Sequence, residues 1–377
     1  MKDFKTITII GMGLIGGSIA LGLKHKGFKG KIIGGDVSKA SLKKAQEIGA
    51  IDEYTVDLQK AVTEVDLVIL AVPVGCFEKV LWEITPHLSK HTLVTDVGSV
   101  KEKIVTMALE QLPKGISFIG GHPMAGSEKE GIGAASPTLF ENAYYFLTPP
   151  KENLGEDIEQ LKRLVESLGA YPVVINPKEH DVIVAQISHM PHLMAVLLVN
   201  MMDQNNGISH IPFAGGGFRD TTRIAAGNPA MWRDILLLNK QQMIEGIEKM
   251  NRMLENFKAL LIEEKQEEIL RNLSTAKIIR ESIPKKSKDY IPDLWDLIVD
   301  IEDRPGVLGE MTGLLGAAKI NIKEIEILHA RQEEQGAVRM AFESEVSREH
   351  ALELLRSAGF KLTYGKGEEE DAHRKPH

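Results

Sequence analysis

Between Thr6 and about Asn176 short β-branched runs alternate with helical stretches: Ile7-Thr8-Ile9-Ile10, Lys31-Ile32-Ile33-Gly34, Leu67 to Leu70, Leu93-Val94-Thr95, Ile116 to Ile119, Tyr144 to Leu147 and Pro172 to Ile175. Strands covered on both faces read as continuous apolar runs, so the pattern predicts an α/β domain with a doubly wound, mostly parallel sheet of the Rossmann type. From Lys178 to about Ser282 strand patterning stops and helical spacing takes over, including a long stretch from Pro229 towards Leu270 that opens on a proline suited to a first helical turn. An all-helical second domain is expected there.

A charged, proline-punctuated linker follows at Ile283-Pro284-Lys285-Lys286-Ser287-Lys288-Asp289. Beyond it the order is strand (Leu297 to Ile301), helix (from Pro305), strand (Ile322 to Ala330), strand (Ala337 to Phe342), helix (Arg348 to Ser357) and strand (Phe360 to Tyr364), a ferredoxin-like βαββαβ unit. The charged tail from Gly367 is expected to fray. Three domains result: 1–176 for a nucleotide, 177–285 for substrate and dimerisation (1–293 forming one catalytic module), and 294–371.

At 377 residues the chain is long enough for two or three cores. Its formal net charge of −8 is interspersed, which argues against nucleic acid or an anionic membrane as partner. One cysteine, Cys76, excludes an intramolecular disulfide, suits a reducing compartment and reads as a small buried thiol. Met1 to Ile10 leads straight into a strand pattern without a secretory core, and the apolar run Met194 to Met202 is too short to cross a bilayer. A soluble cytoplasmic protein is expected.

The chemistry begins at Gly11-Met12-Gly13-Leu14-Ile15-Gly16, which follows a strand and opens a helix. Gly11 permits the tight turn, Gly13 lets the backbone approach a pyrophosphate, and Gly16 lets helix and strand pack closely. Asp36 closes the second strand, where a carboxylate accepts bonds from the adenosine ribose hydroxyls and repels a 2′-phosphate. NAD is therefore expected rather than NADP; Lys39, which could meet a phosphate, reads better as a solvated first-turn lysine. Ala71-Val72-Pro73 ends a strand at the carboxyl edge, either lining the nicotinamide side of the cleft or merely punctuating the strand.

Gly120-Gly121-His122-Pro123-Met124-Ala125-Gly126 places an imidazole in a small-residue turn, and a histidine titrating near neutrality suits removal of a hydroxyl proton during hydride transfer. In Asp96 to Lys101, Ser99 either faces nicotinamide and His122 or caps a helix. Ser188-His189-Met190-Pro191-His192 puts two histidines on one helical face, better suited to a polar substrate than to a metal, for which no third ligand sits at the right spacing. Gly215-Gly216-Gly217-Phe218-Arg219-Asp220-Thr221-Thr222-Arg223, with Trp232-Arg233-Asp234, offers close backbone approach and arginines for a carboxylate. Surface pairing of Arg219 with Asp220 or Arg233 with Asp234 explains the charges equally well, but not the glycines.

Taken in order, these motifs resemble the prephenate dehydrogenases of tyrosine biosynthesis in the form that carries a C-terminal ACT domain. The resemblance implies oxidative decarboxylation of prephenate to 4-hydroxyphenylpyruvate with NAD accepting hydride. It makes His122 the group that deprotonates the ring 4-hydroxyl, Ser99 its orienting partner, and Arg223 the ligand of the ring carboxylate. His192 and Trp232 fall near the pyruvyl side chain with Ser188, His189 and Gly216 close by, Glu128 near the cleft mouth, and Asp220 in support of Arg223. Asp303-Arg304-Pro305-Gly306-Val307-Leu308 with Asn321-Ile322 resembles the ligand turn of ACT domains, which implies feedback by L-tyrosine, although such domains also serve assembly alone. Arogenate is the nearest rival substrate; another hydroxy-acid dehydrogenase and a non-catalytic sensor of NAD and an amino acid are more distant. A homodimer is expected, built on the long helices from Pro229 onward.

Overall fold

Ile9 and Ile10 are both buried yet point into different cores, because their strand lies inside a sheet covered on both faces. In this computed structural model, which describes residues 4–126, 129–150, 155–202, 211–283, 295–302, 304–328 and 336–363, the chain divides into two compact units, Met1–Ile278 and Ile279–His377. The sheet of the first unit comprises β1 (Thr6–Ile10), β2 (Lys31–Gly35), β3 (Glu53–Thr55), β4 (Leu67–Leu70), β5 (Leu93–Asp96), β6 (Ser117–Pro123), β7 (Tyr144–Thr148) and β8 (Tyr171–Val174) in the order β3-β2-β1-β4-β5-β6-β7-β8. Neighbours run parallel except β6 and β7. The edge strand β3 was not foreseen: three residues, none of them buried, leave no apolar run to read.

One face is covered by α1 (Leu14–His25), α2 (Lys39–Glu47) and later α6 (Glu156–Ser167), through Ile19, Leu23, Leu42, Leu161 and Val165. The other receives α3 (Leu58–Ala61), α4 (Phe77–Ile84) and α5 (Glu102–Gln111), through Leu58, Phe77, Leu81 and Ile104. Strand order reverses at β1, so a crevice opens at the carboxyl ends of β1 and β4, the place where such sheets take ligands. Cys76 is exposed rather than buried: in the turn Val74–Cys76 after β4, Val74 and the following Phe77 supply the inward side chains.

The helical segment follows as α7 (Pro177–Val184), a π-helical turn (Ala185–His189), α8 (Met190–Met202), α9 (Gly216–Thr222), α10 (Pro229–Leu238), α11 (Lys240–Ile262) and α12 (Gln266–Ser282). The stretch from Pro229 is thus broken twice. At Asn239 the buried side-chain amide is committed to the Asp181 carbonyl, 3.0 Å away, and Glu264, between α11 and α12, takes a left-handed conformation with φ +50°. By length and composition Pro177–Met202 is apolar enough to span a membrane, a longer run than Met194 to Met202 because α7 and α8 join through the π turn. It nevertheless buries His180, Asp181, His189 and His192 inside the protein, three of them hydrogen-bonded to other side chains.

The second unit is an antiparallel sheet of β9 (Trp295–Ile301), β10 (Glu324–Leu328), β11 (Gly336–Phe342) and β12 (Lys361–Thr363) in the order β10-β11-β9-β12, with α13 (Val307–Ala317) and α14 (Glu345–Ser357). Leu297, Val299, Met311, Val338, Met340 and Leu355 form its core. The linker from Pro284 and the tail from Gly367 lie outside the described residues.

Candidate active site

The glycine-rich turn is explained residue by residue. Gly11 adopts φ +101°, and a Cβ there would stand 2.3 Å from the Ala71 carbonyl oxygen; at Gly16 a Cβ would stand 2.1 Å from the Gly11 carbonyl oxygen. Both glycines are demanded by the fold. Gly13, the N-cap of α1, is different: a Cβ there meets nothing within 4 Å, so the space in front of it suits a bound group approaching the helix N-terminus. Leu14 and Ile15 begin α1, and Val72 and Pro73 leave β4 directly beside Gly11. Asp36 follows β2 and accepts from the Met12 N–H and the Ser38 N–H, both at 2.7 Å. Each of its oxygens keeps a lone pair for a ribose hydroxyl. These residues fit NAD.

His122 lies in strand β6, not in a turn. Its register partner is Phe146 of β7, and the strand extends through Gly120 and Gly121 because there is no room for side chains. A Cβ at Gly120 would stand 2.4 Å from Thr148 Oγ1, and one at Gly121 2.4 Å from the Asp96 carbonyl oxygen. The imidazole is therefore held rigidly in the sheet at the end of β6, 8% exposed. Burial, then the nearby His180, Lys101 and His189, pushes its pKa well below the ordinary histidine value, so the ring is neutral at working pH.

Behind it lies a buried polar network. Lys101, fully enclosed, pairs with Asp96 and donates to the Gly121 carbonyl at 2.8 Å, while Asp96 also accepts from the backbone N–H groups of Gly98 (2.8 Å) and Gly121 (3.0 Å). Desolvation lowers the Lys101 pKa against the pull of Asp96. The start of α5 is capped not by Ser99 but by Asp181, 80 residues on, whose carboxylate accepts from the N–H groups of Lys101 (2.7 Å) and Glu102 (3.0 Å). Half-buried Ser99 therefore has no capping task at α5.

The helical segment closes over this edge. Its α10 packs against the Val74–Cys76 turn so tightly that a Cβ on Gly75 would stand 2.2 Å from Asp234 Oδ2. The loop after His122 reaches the same helix, since Asn228, which caps α10, donates to Glu130 at 2.9 Å. Trp232 stacks on His192, ring centroids 3.5 Å apart and 7° from parallel, and meets His189 edge-on at 6.0 Å. His192 bonds the Ile224 carbonyl and keeps a buried Nδ1 without a partner among the described residues, an acceptor suited to a polar ligand. His189, pulled by burial to about pKa 4, contacts the Ser99 backbone and Asn239. Ser188 is half-buried in the π turn, a distortion often found at functional sites.

Gly216, Asp220 and Arg223 lie on or at the end of α9, all exposed, and a Cβ added at Gly215, Gly216 or Gly217 would meet nothing within 4 Å. Arg233 pairs with Asp234 at 2.7 Å, the surface ion pair that its sequence neighbour suggests. Glu128 lies outside the described residues.

In the second unit Gly306 takes φ +88° at the turn into α13, while Val307, Leu308 and Ile322 pack into or against the local core. Asn321 is exposed, and Arg304 pairs with Glu310 at 2.7 Å. Asp303 lies outside the described residues.

Sequence reasoning missed His180, Asp181, Asn239 and the role of Lys101. Asn176-Pro177-Lys178-Glu179-His180-Asp181 reads as a solvated helix start. A signal existed all the same: Asp181, Ala185, His189 and His192 recur at helical spacing, forming one buried stripe.

Sequence profiles match "Prephenate dehydrogenase, nucleotide-binding domain" over residues 19–174, "Prephenate dehydrogenase, dimerization domain" over 176–275 and "ACT domain" over 295–360. The chain is 40% identical to a prephenate dehydrogenase of Bacillus subtilis, covering 95% of this chain and 96% of the relative. Among solved structures it is similar to prephenate dehydrogenase from A. aeolicus in complex with hydroxyphenyl propionate and NAD+ (36% identity, TM-score 0.71, 75% of this chain, 99% of that one). It is also similar to Synechocystis arogenate dehydrogenase (30% identity, TM-score 0.65, 74% of this chain, 100% of that one). With a dinucleotide turn that fits NAD and a neutral histidine at the sheet edge, the chain belongs to the prephenate dehydrogenase family and is an NAD-dependent oxidoreductase.

Proposed function

We propose that the chain converts prephenate to 4-hydroxyphenylpyruvate and carbon dioxide. The observation that carries the reading is His122: a buried, neutral imidazole fixed at the carboxyl edge of a dinucleotide-binding sheet. Bound NAD supplies the hydride acceptor. His122 takes the ring 4-hydroxyl proton as hydride leaves the same carbon, and returns it to the phenolate oxygen once the carboxylate departs as carbon dioxide and the ring becomes aromatic. Ser99 orients that hydroxyl. Arg223 holds the ring carboxylate, with Asp220 in support, and His192, Trp232, Ser188, His189 and Gly216 surround the side chain. Glu128 is proposed as a further substrate-binding residue.

Arogenate differs only by an amine in place of the side-chain ketone, and the similarity to an arogenate dehydrogenase makes it the rival substrate. Mixing purified protein with NAD and each substrate in turn, while following NADH absorbance, tests both readings. Turnover of prephenate at least tenfold above arogenate supports the proposal; turnover of neither sinks it.

The assembly proposed is a homodimer formed through the helical segment, where Leu197, Leu198, Met253, Leu254, Leu261 and Leu273 are exposed apolar side chains. Residues 294–371 are proposed to bind L-tyrosine through the turn Asp303 to Leu308 with Asn321 and Ile322. Equal tyrosine sensitivity of the full chain and of one ending near Lys288 would refute control through this domain.

A further inference from the structure

The ring of His122 has two nitrogens, and only one of its neutral tautomers can take a proton at Nε2. His122 Nδ1 lies 2.8 Å from His180 Nε2, and His180 Nδ1 lies 2.8 Å from Asp181 Oδ1. His180 and Asp181 are 0% and 1% exposed. The chain of three side chains has a single consistent direction for neutral rings. A carboxylate only accepts, so the His180 proton must sit on Nδ1; His180 Nε2 is then an acceptor, so the His122 proton must sit on Nδ1. The His122 lone pair is left on Nε2.

We propose that Asp181 and His180 are positioning residues that fix the tautomer of His122, so that its Nε2 stands ready as the proton acceptor. The inference rests on the reading of His122 as the base in hydride transfer. Asp181 is well placed as the anchor because it cannot rotate away: its two oxygens also accept from the N–H groups of Lys101 and Glu102 at the start of α5. His180 stays neutral because burial outweighs its bond to Asp181, and the Lys101 ammonium opposes a second positive charge there. The groups facing the pair are Lys101 with its partner Asp96, and His189, which is itself driven neutral. An aspartate that selects a histidine tautomer is the arrangement found in serine protease triads; here a second imidazole is interposed. Phe146, edge-on to His180 at 5.3 Å, walls the relay on one side.

The direct test is a long-range proton–nitrogen correlation spectrum of full-length protein labelled with 15N-histidine, with His122→Asn assigning the signal. A neutral His122 protonated on Nδ1 supports the proposal; one protonated on Nε2 overturns it. Turnover supplies the second test. His180→Phe removes the acceptor for His122 Nδ1, and kcat is expected to fall about 10- to 100-fold with KM and NAD affinity held within about twofold. His180→Gln puts an amide oxygen where Nε2 stood and is expected to recover about tenfold of that loss. Equal losses in the two variants, or a change confined to KM, would overturn the relay. Because the spectrum needs no turnover, a protein inactive on both substrates would defeat the functional reading while leaving the tautomer measurable.

Discussion

Lys101→Met isolates the most consequential buried charge in the molecule. Methionine keeps most of the aliphatic stem but removes the ammonium that pairs with Asp96 and donates to the Gly121 carbonyl at 2.8 Å. Both members of the pair are enclosed, at 0% and 1% exposure. Asp96 would keep its bonds from the Gly98 and Gly121 N–H groups but lose its counter-charge, and stranding one ion of a buried pair typically costs about 3–5 kcal/mol. With a urea dependence of about 1–3 kcal/mol per molar, the midpoint of the transition that melts the sheet should move down by roughly 1–5 M. The double variant Asp96→Asn/Lys101→Met carries no stranded charge and should be more stable than Lys101→Met alone by about 2 kcal/mol. Urea unfolding of the three proteins at pH 7.5, followed by tryptophan fluorescence, measures both differences. A loss below about 1 kcal/mol in the single variant, or a double variant less stable than the single, would refute the reasoning.

Three further outcomes follow from the same geometry. His189, lowered to about 4 from 6.5, is protonated more readily in the unfolded chain, so its stability contribution is full above pH 6.5 and is lost as pH falls towards 4. Between pH 7.5 and 4.5 His189→Asn should lose about 2.5 kcal/mol less than the parent in urea unfolding, and an unchanged pH slope would count against burial as the cause. Because only the neutral His122 ring accepts a proton, the acid limb of kcat/KM should lie below pH 6.5; a midpoint at or above that value contradicts the depressed pKa. Gly13→Ala should leave the melting temperature within about 1 °C and weaken NAD about tenfold or more, whereas Gly16→Ala, with a Cβ 2.1 Å from a carbonyl oxygen, should cost about 1–3 kcal/mol of stability before any ligand is added. Calorimetry and NAD titration separate the two.

The central strands, the glycine turn with Asp36, and the βαββαβ order of the second unit were legible because each is a local pattern: a buried strand must be apolar along its length, and a tight turn must have glycine. The same local rules misplace His122, since nothing near Gly120 and Gly121 announces that the Asp96 carbonyl of β5 and the Thr148 side chain of β7 press so close that the strand continues through them without side chains. They also misread Cys76, whose outward side of a short turn has no periodicity.

His180 and Asp181 show where the boundary lies. Their sequence neighbours are polar and charged, the usual signature of a solvated helix start, and only the docking of α7 against α5 and β7 buries them. His180 meets a histidine 58 residues earlier, and Asp181 caps a helix some 80 residues earlier. Sequence by itself determined most of the strands and helices and where a dinucleotide turn must form, because those depend on neighbours along the chain. The tertiary structure alone decided which polar side chains lose water together, and it is that shared desolvation that gives His122 a partner, a tautomer and a neutral ring.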